Sequence, residues 1–229
     1  MSYYFNLKTL NIGGADYVYA IINTDIALVR PTIINKRLID LSAVGVNGGF
    51  FASDDYNQPP TGMRSISYWK RDPNFYSYNG TQEEQIARKT FVSYPDNFGI
   101  YRATYMITSN LNEVLNFYPN ARAVIGGNTY NINAWGSIAY YFATFRTVLA
   151  WTETNAHMIV SVNRIVNIPT LMDHIEFLGY SPQYSIVLDG SGSTKMRVHN
   201  KNYNRIEYYG SNENRYIGNV VRVSGESYI

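Results

Sequence analysis

Residues 185–194, SIVLDGSGST, run from a short apolar stretch into a glycine and serine loop, and the first charged side chain on the way is Asp189. A carboxylate at the end of a buried strand is held rigidly, while glycines beside it let a ligand approach the backbone closely. Asp189 is therefore the leading candidate for chemistry. Two other apolar runs end the same way: VGVNGGFF at 44–51 and AVIGGN at 123–128. Consecutive glycines allow backbone N–H groups to converge on an anion. Singly, each loop reads as a tight turn. Together, with Asn47 and Asp189 set beside the glycines of two of them, they point to one shared site.

Other chemistries are excluded by the residues present. GSGSTK at 190–195 has its lysine after the threonine and lacks the upstream glycine of a phosphate-binding P-loop, and no GxGxxG opens a helix after a strand. The chain has no cysteine, which removes disulfides, thiolate zinc sites and a cysteine nucleophile. His157, His174 and His199 are isolated, without an HExxH or a paired carboxylate, and read as structural or surface residues. No cofactor is expected; a divalent cation on Asp189 and backbone oxygens stays open.

Nineteen basic against seventeen acidic side chains give a net charge of only +2, too even for a surface that coats duplex nucleic acid. A specific anion site needs only two or three focused donors. The start, MSYYFNLKTL, is not a secretory leader, and no apolar run is long enough to cross a bilayer, so a cytoplasmic protein without a membrane partner is expected. The 22 tyrosines and abundant asparagines suit an adenine- and thymine-rich genome, such as that of a phage or low-GC bacterium, with host cytoplasm or virion as the phage location. Such rings and amides also suit sugar contacts.

The elements that must position these loops are mostly strands. Runs at 17–22, 65–69, 90–94, 147–151, 157–162, 185–188 and 220–223 are aliphatic, aromatic or β-branched and bounded by Gly, Asn, Asp or Pro. Helices are expected at 34–41, 110–118 and 169–178. The last has Pro169 in its first turn, Leu171, Ile175 and Leu178 on one face, and Gly179 as its cap. The order is not a regular βα alternation, so the expected class is α+β: a mixed, largely antiparallel sheet flanked by a few helices, in a single domain over 1–229. The polar stretch 72–86 reads as a surface excursion or lid, and 200–215 as a hairpin.

In order, these loops resemble the phosphodiester glycosidase family. Its pattern is an NGGFF loop, an RT pair opening a strand, a helix ending in LG, a DGGGSST loop and an arginine before a last strand. Here those are 47–51, Arg146 and Thr147, Leu178 and Gly179, 189–194, and Arg215 ahead of Val220. The aspartate loop departs from the pattern at Ser191, where the family has glycine. The RT strand continues as VLAWTETNAHMIVSV rather than through the family's usual glycine.

The resemblance implies hydrolysis at a sugar anomeric carbon with a phosphate ester leaving. It assigns Arg146 and Arg215 to a phosphate clamp. Asp189 becomes general base or acid, or a stabiliser of oxocarbenium charge. Asn47 with the amides of Gly48 and Gly49 would take sugar hydroxyls or a phosphate oxygen, and Ser191, Gly192, Ser193 and Thr194 would complete the cradle. Glu153, after the Arg146 strand, is a further carboxylate. Phe50 and Phe51 are expected behind the loop. The partner would be a small-molecule or glycan sugar phosphodiester. Alternatives are a phage protein that cleaves or sequesters a nucleotide second messenger as anti-defence, with tyrosines stacking on bases, and a non-catalytic sugar-phosphate binding module. The oligomeric state is left undetermined.

Overall fold

A computed structural model describes residues 2–70, 86–201 and 203–227. Strands β1 (Tyr3–Ile12) and β2 (Ala15–Asp25) form a long hairpin. Its two-residue turn needs positive φ at both positions and has Gly13 and Gly14 there, at 60° and 78°. Strands β3 (Val29–Arg37) and β4 (Ala43–Asn47) begin a second sheet, and β5 (Phe51–Ala52) with β6 (Gly62–Met63) makes a two-stranded ribbon. A third sheet takes β7 (Ser67–Trp69), β8 (Arg88–Pro95), β9 (Tyr101–Thr108) and β10 (Ala123–Gly127) in the order β7-β10-β8-β9.

The chain then returns to the first sheet with β11 (Thr147–Trp151), β12 (Asn155–Ser161) and β13 (Ser185–Val187), giving β1-β2-β12-β11-β13. It completes the second with β14 (Lys195–Asn200), β15 (Arg205–Gly210) and β16 (Tyr216–Ser227), giving β15-β14-β4-β16-β3. Every ladder among the described residues is antiparallel. The largely antiparallel pairing and the few flanking helices are as expected; the strands are divided among several sheets rather than one, and the protein is predominantly β.

Period-two alternation explains how these sheets stack. In β2, Ala20 and Ile22 face a central core shared with Val44 and Val46 of β4, Ile125 of β10 and Val221 of β16. The intervening Tyr19 and Ile21 face a second core under helix α3 (Ile168–Phe177), with Leu171 and Ile175. The inner strands of the first sheet are therefore buried on both faces, which is why Val148–Trp151 of β11 and Met158–Val160 of β12 are continuously apolar. Helix α1 (Leu111–Phe117) covers the outer face of the third sheet, with Val114 against Val92 and Val124. A five-residue helix, α2 (Ser137–Tyr141), has no buried residue.

Helix α1 lies within its expected segment, and α3 runs one residue earlier than expected at each end. The Asn167 side chain accepts from the Thr170 amide to cap α3, Pro169 sits in the first turn, and Gly179 ends it at φ 90°. The helix expected at 34–41 is instead the end of β3 followed by a 3-10 turn, Leu38–Asp40. Its Ile34, Leu38 and Leu41 do share one apolar cluster, but a strand and a turn bring them there. The expected hairpin at 200–215 is centred earlier, on β14 and β15. The polar stretch 72–86 lies, except for its last residue, outside the described residues. No helix among the described residues is long and apolar enough to cross a membrane.

Candidate functional site

The three glycine loops meet where the first sheet joins the second. Asp189, leaving β13, donates its backbone N–H to the Gly48 carbonyl at 3.1 Å, and Leu188 donates to the Thr147 carbonyl at 2.9 Å. Asn128, ending the third loop, exchanges both backbone hydrogen bonds with Val187, at 2.8 and 2.9 Å. The glycines are required by closeness rather than by turn geometry. A side chain at Gly49 would lie 2.5 Å from the Gly126 carbonyl oxygen, and one at Gly127 would lie 2.8 Å from that of Val187.

Asn47 is the knot of this seam. Its Nδ2 donates to the Asp189 carbonyl at 2.7 Å, while its Oδ1 accepts from Thr147 Oγ1 at 2.6 Å and from the Lys195 amide at 3.1 Å. With 1% of its surface exposed, it braces β4, β11, β14 and the aspartate loop.

The loop amides are spent in the same way. Gly48 donates to the Asn219 carbonyl, Ser191 to Phe145, Ser193 to Gly190 and Thr194 to Ser191. Thr194 is wholly buried. Of the amides in the expected cradle, that of Gly48 is thus taken up in holding the seam, as those of Ser191, Ser193 and Thr194 are in folding the aspartate loop. Ser191 carries φ 60°, so the position where the family pattern has glycine keeps a glycine-like conformation with a serine in it.

Positive charge comes from guanidinium groups instead. Arg146 is 4% exposed, its Nε donating to the Val166 carbonyl at 3.1 Å and its Nη2 to that of Phe142 at 2.6 Å. Its Nη1 lies beside Gly190, within 3.7 Å of where a Cβ there would sit. The group rests 5.3 Å from the Trp135 ring centre. Burial lowers the Arg146 pKa to about 10, opposed by the Asp189 charge. Arg215 pairs through Nε with Glu213 and lies 4.2 Å over the Tyr56 ring; both members of that pair crowd Gly192, where a Cβ would overlap them.

A third guanidinium comes from Arg88 at the start of β8. Its Nη1 donates to Asn128 Oδ1 at 2.7 Å and it lies 4.4 Å over Phe50. Phe50 in turn meets Trp135 edge to face, with ring centres 5.8 Å apart. Sequence reasoning missed Arg88, Trp135, Tyr56 and Glu213, because none belongs to a motif. Asn128 was the available signal for Arg88, since the amide ending AVIGGN needs a buried partner.

Asp189 sits among these cations. It keeps some accessible surface yet is packed on nearly every side, so its carboxylate is poorly hydrated. That desolvation raises its pKa to about 6, against hydrogen bonds from the Ser193 hydroxyl and the Gly190 amide and the charges of Arg215 and Arg88. A carboxylate poised near neutrality beside guanidiniums can take or return a proton next to a bound anion.

Glu153 is not part of this group: it lies beyond the far end of β11, 88% exposed and paired with Arg102 at 3.2 Å. The histidines stand apart as well. His174 Nδ1 is hydrogen-bonded to the Tyr19 hydroxyl at 2.7 Å in the core under α3, His157 Nδ1 to Asn23 at 2.6 Å and His199 Nε2 to Asn204 at 3.1 Å. Burial holds His157 neutral, with a pKa of about 4. No group of three or more His, Asp or Glu side chains among the described residues could hold a metal ion.

Compared with known protein families and with curated proteins, the sequence matches none. Among solved structures, it is similar in fold to the catalytic domain of zebrafish N-acetylglucosamine-1-phosphodiester α-N-acetylglucosaminidase, auto-inhibited by its pro-peptide. The TM-score is 0.60 at 13% identity, over 97% of this chain and 83% of that one. A hypothetical protein from Synechocystis superposes with a TM-score of 0.58 at 13% identity, over 97% of this chain and 62% of that one. These are likenesses of fold at great sequence distance.

Proposed function

We propose that the protein is a hydrolase of the phosphodiester glycosidase type, cleaving the bond between a sugar anomeric carbon and a phosphodiester oxygen. The observation that carries this reading is Asp189, with a pKa near 6, set among Arg88, Arg146 and Arg215. The likeness of fold to a phosphodiester α-N-acetylglucosaminidase domain supports it.

In this reading the guanidiniums hold the phosphate, with Arg146 presenting Nη1, the nitrogen left over from its two carbonyl bonds. Phosphate esters are good leaving groups when their charge is held, so the demand falls on water and on the oxocarbenium-like carbon. Ionised Asp189 accepts a proton from water as its oxygen bonds to the anomeric carbon. The carbon–oxygen bond breaks, and the phosphate monoester departs with its electron pair onto the arginines. Ser193 fixes the carboxylate. Asn47, Gly48 and Gly49 hold the seam and act by positioning.

Replacing Asp189 by Asn tests the assignment. Turnover of a sugar phosphodiester should fall by at least about a thousandfold while affinity for the substrate changes by only a few-fold. Equal loss of both would leave Asp189 a structural residue and the catalytic reading without support.

A further inference from the structure

We infer that the anion site continues into an apolar groove, so that the phosphate it holds carries a hydrocarbon chain: the substrate is an amphiphilic sugar phosphodiester. This rests on the proposed function and deepens it by naming the second substituent on phosphorus.

Among the described residues the groove is lined by Trp135, Gly136, Ser137, Ile138, Ala139 and Phe142; it is shallow and widely open to solvent, with about 580 Å³ of space over it. None of these residues is charged, and Ser137 alone has a hydroxyl. Ile138 is 86% and Tyr141 62% exposed on a helix that buries nothing of its own, and Phe142, which follows it, is 62% exposed. An apolar patch left open beside a polar site marks a place where something apolar is received.

What it receives is fixed by what adjoins it. Phe142 gives its carbonyl to Arg146 Nη2, and Trp135 carries the same guanidinium against its ring, so the inner wall of the groove is the support of the proposed phosphate clamp. A sugar in the groove would find almost no hydrogen-bond partners, and a free hydrocarbon would gain nothing from the guanidinium. An alkyl or isoprenoid chain ending in phosphate satisfies both ends.

The test is calorimetric titration of the whole protein with monomeric octyl phosphate and ethyl phosphate, with hydrolysis of a sugar phosphodiester followed alongside. Each methylene removed from water favours binding, so octyl phosphate should bind at least about tenfold more tightly than ethyl phosphate. Ile138→Asp alters a solvent-exposed side chain and should remove most of that advantage while leaving ethyl phosphate binding unchanged. Equal affinities in the wild type, or no binding of either, would overturn the inference, as would an Ile138→Asp variant that keeps the full advantage. If sedimentation shows a dimer that Ile138→Asp dissociates with the two affinities untouched, the groove is an interface between copies and the inference also falls. Chain-length-dependent binding without hydrolysis would instead remove the glycosidase reading and leave the groove assignment standing.

Discussion

Asp189 shows how one side chain is tuned by where a strand delivers it. Burial raises its pKa from an ordinary 3.8 to about 6, so the native state holds the proton more tightly than the unfolded chain does. Its contribution to stability is then most favourable below about pH 4 and declines as pH rises to about 6. The cost at pH 7 is on the order of 1–3 kcal/mol. Asp189→Asn should therefore stabilise the fold by about that much at pH 7 and very little at pH 4, which thermal unfolding at the two values will reveal. Activity runs the other way. If the ionised carboxylate is the base, kcat/KM rises with pH through about 6 and levels off above it, and a limb falling there would point to an acid role. Ser191 is strained at φ 60°, and the hydroxyl that bonds the Asp189 carboxylate is that of Ser193. Ser191→Gly should raise stability by up to about 1 kcal/mol in denaturant titration, with turnover unchanged.

At the scale of elements, the site depends on strand ends more than on any motif. The loop 189–194 was readable because an apolar run stopped at a carboxylate followed by glycines. The α3 segment was readable because Pro169, its apolar face and Gly179 agree on both boundaries. Arg88 was not readable: it opens an ordinary strand, and only the β8–β10 ladder carries it to Asn128 and the aspartate loop. Likewise Ile34, Leu38 and Leu41 have helical spacing, yet pairing with β16 from Tyr216 onward keeps the chain in a strand to Arg37, through an irregularity at Asn35. Long-range pairing overrode local periodicity there. Asn47 was legible as part of the site but not as its brace, since its three partners come from three separate segments. Gly192 gives this scale its own test. A methyl group there overlaps the Arg215–Glu213 pair, so Gly192→Ala should displace it and weaken phosphate ester binding by about tenfold or more, measured by calorimetry, with little change in thermal stability.

Seen whole, the candidate site lies at the joint between two five-stranded antiparallel sheets, with the third sheet supplying Arg88. Each sheet is buried against the common core, so the strand ends that meet at Asp189 are rigid. That rigidity suits a site that must hold a carboxylate short of full hydration beside several guanidiniums without collapsing them into simple salt bridges. The central claim is that this joint breaks the bond from the anomeric carbon to oxygen and not the bond from phosphorus to oxygen. The most direct measurement is hydrolysis of a sugar phosphodiester in water enriched in heavy oxygen, with the products weighed by mass spectrometry. The account predicts the heavy oxygen in the released sugar and none in the phosphate monoester. Heavy oxygen in the phosphate would mean attack at phosphorus, and the protein would be a phosphodiesterase of another kind.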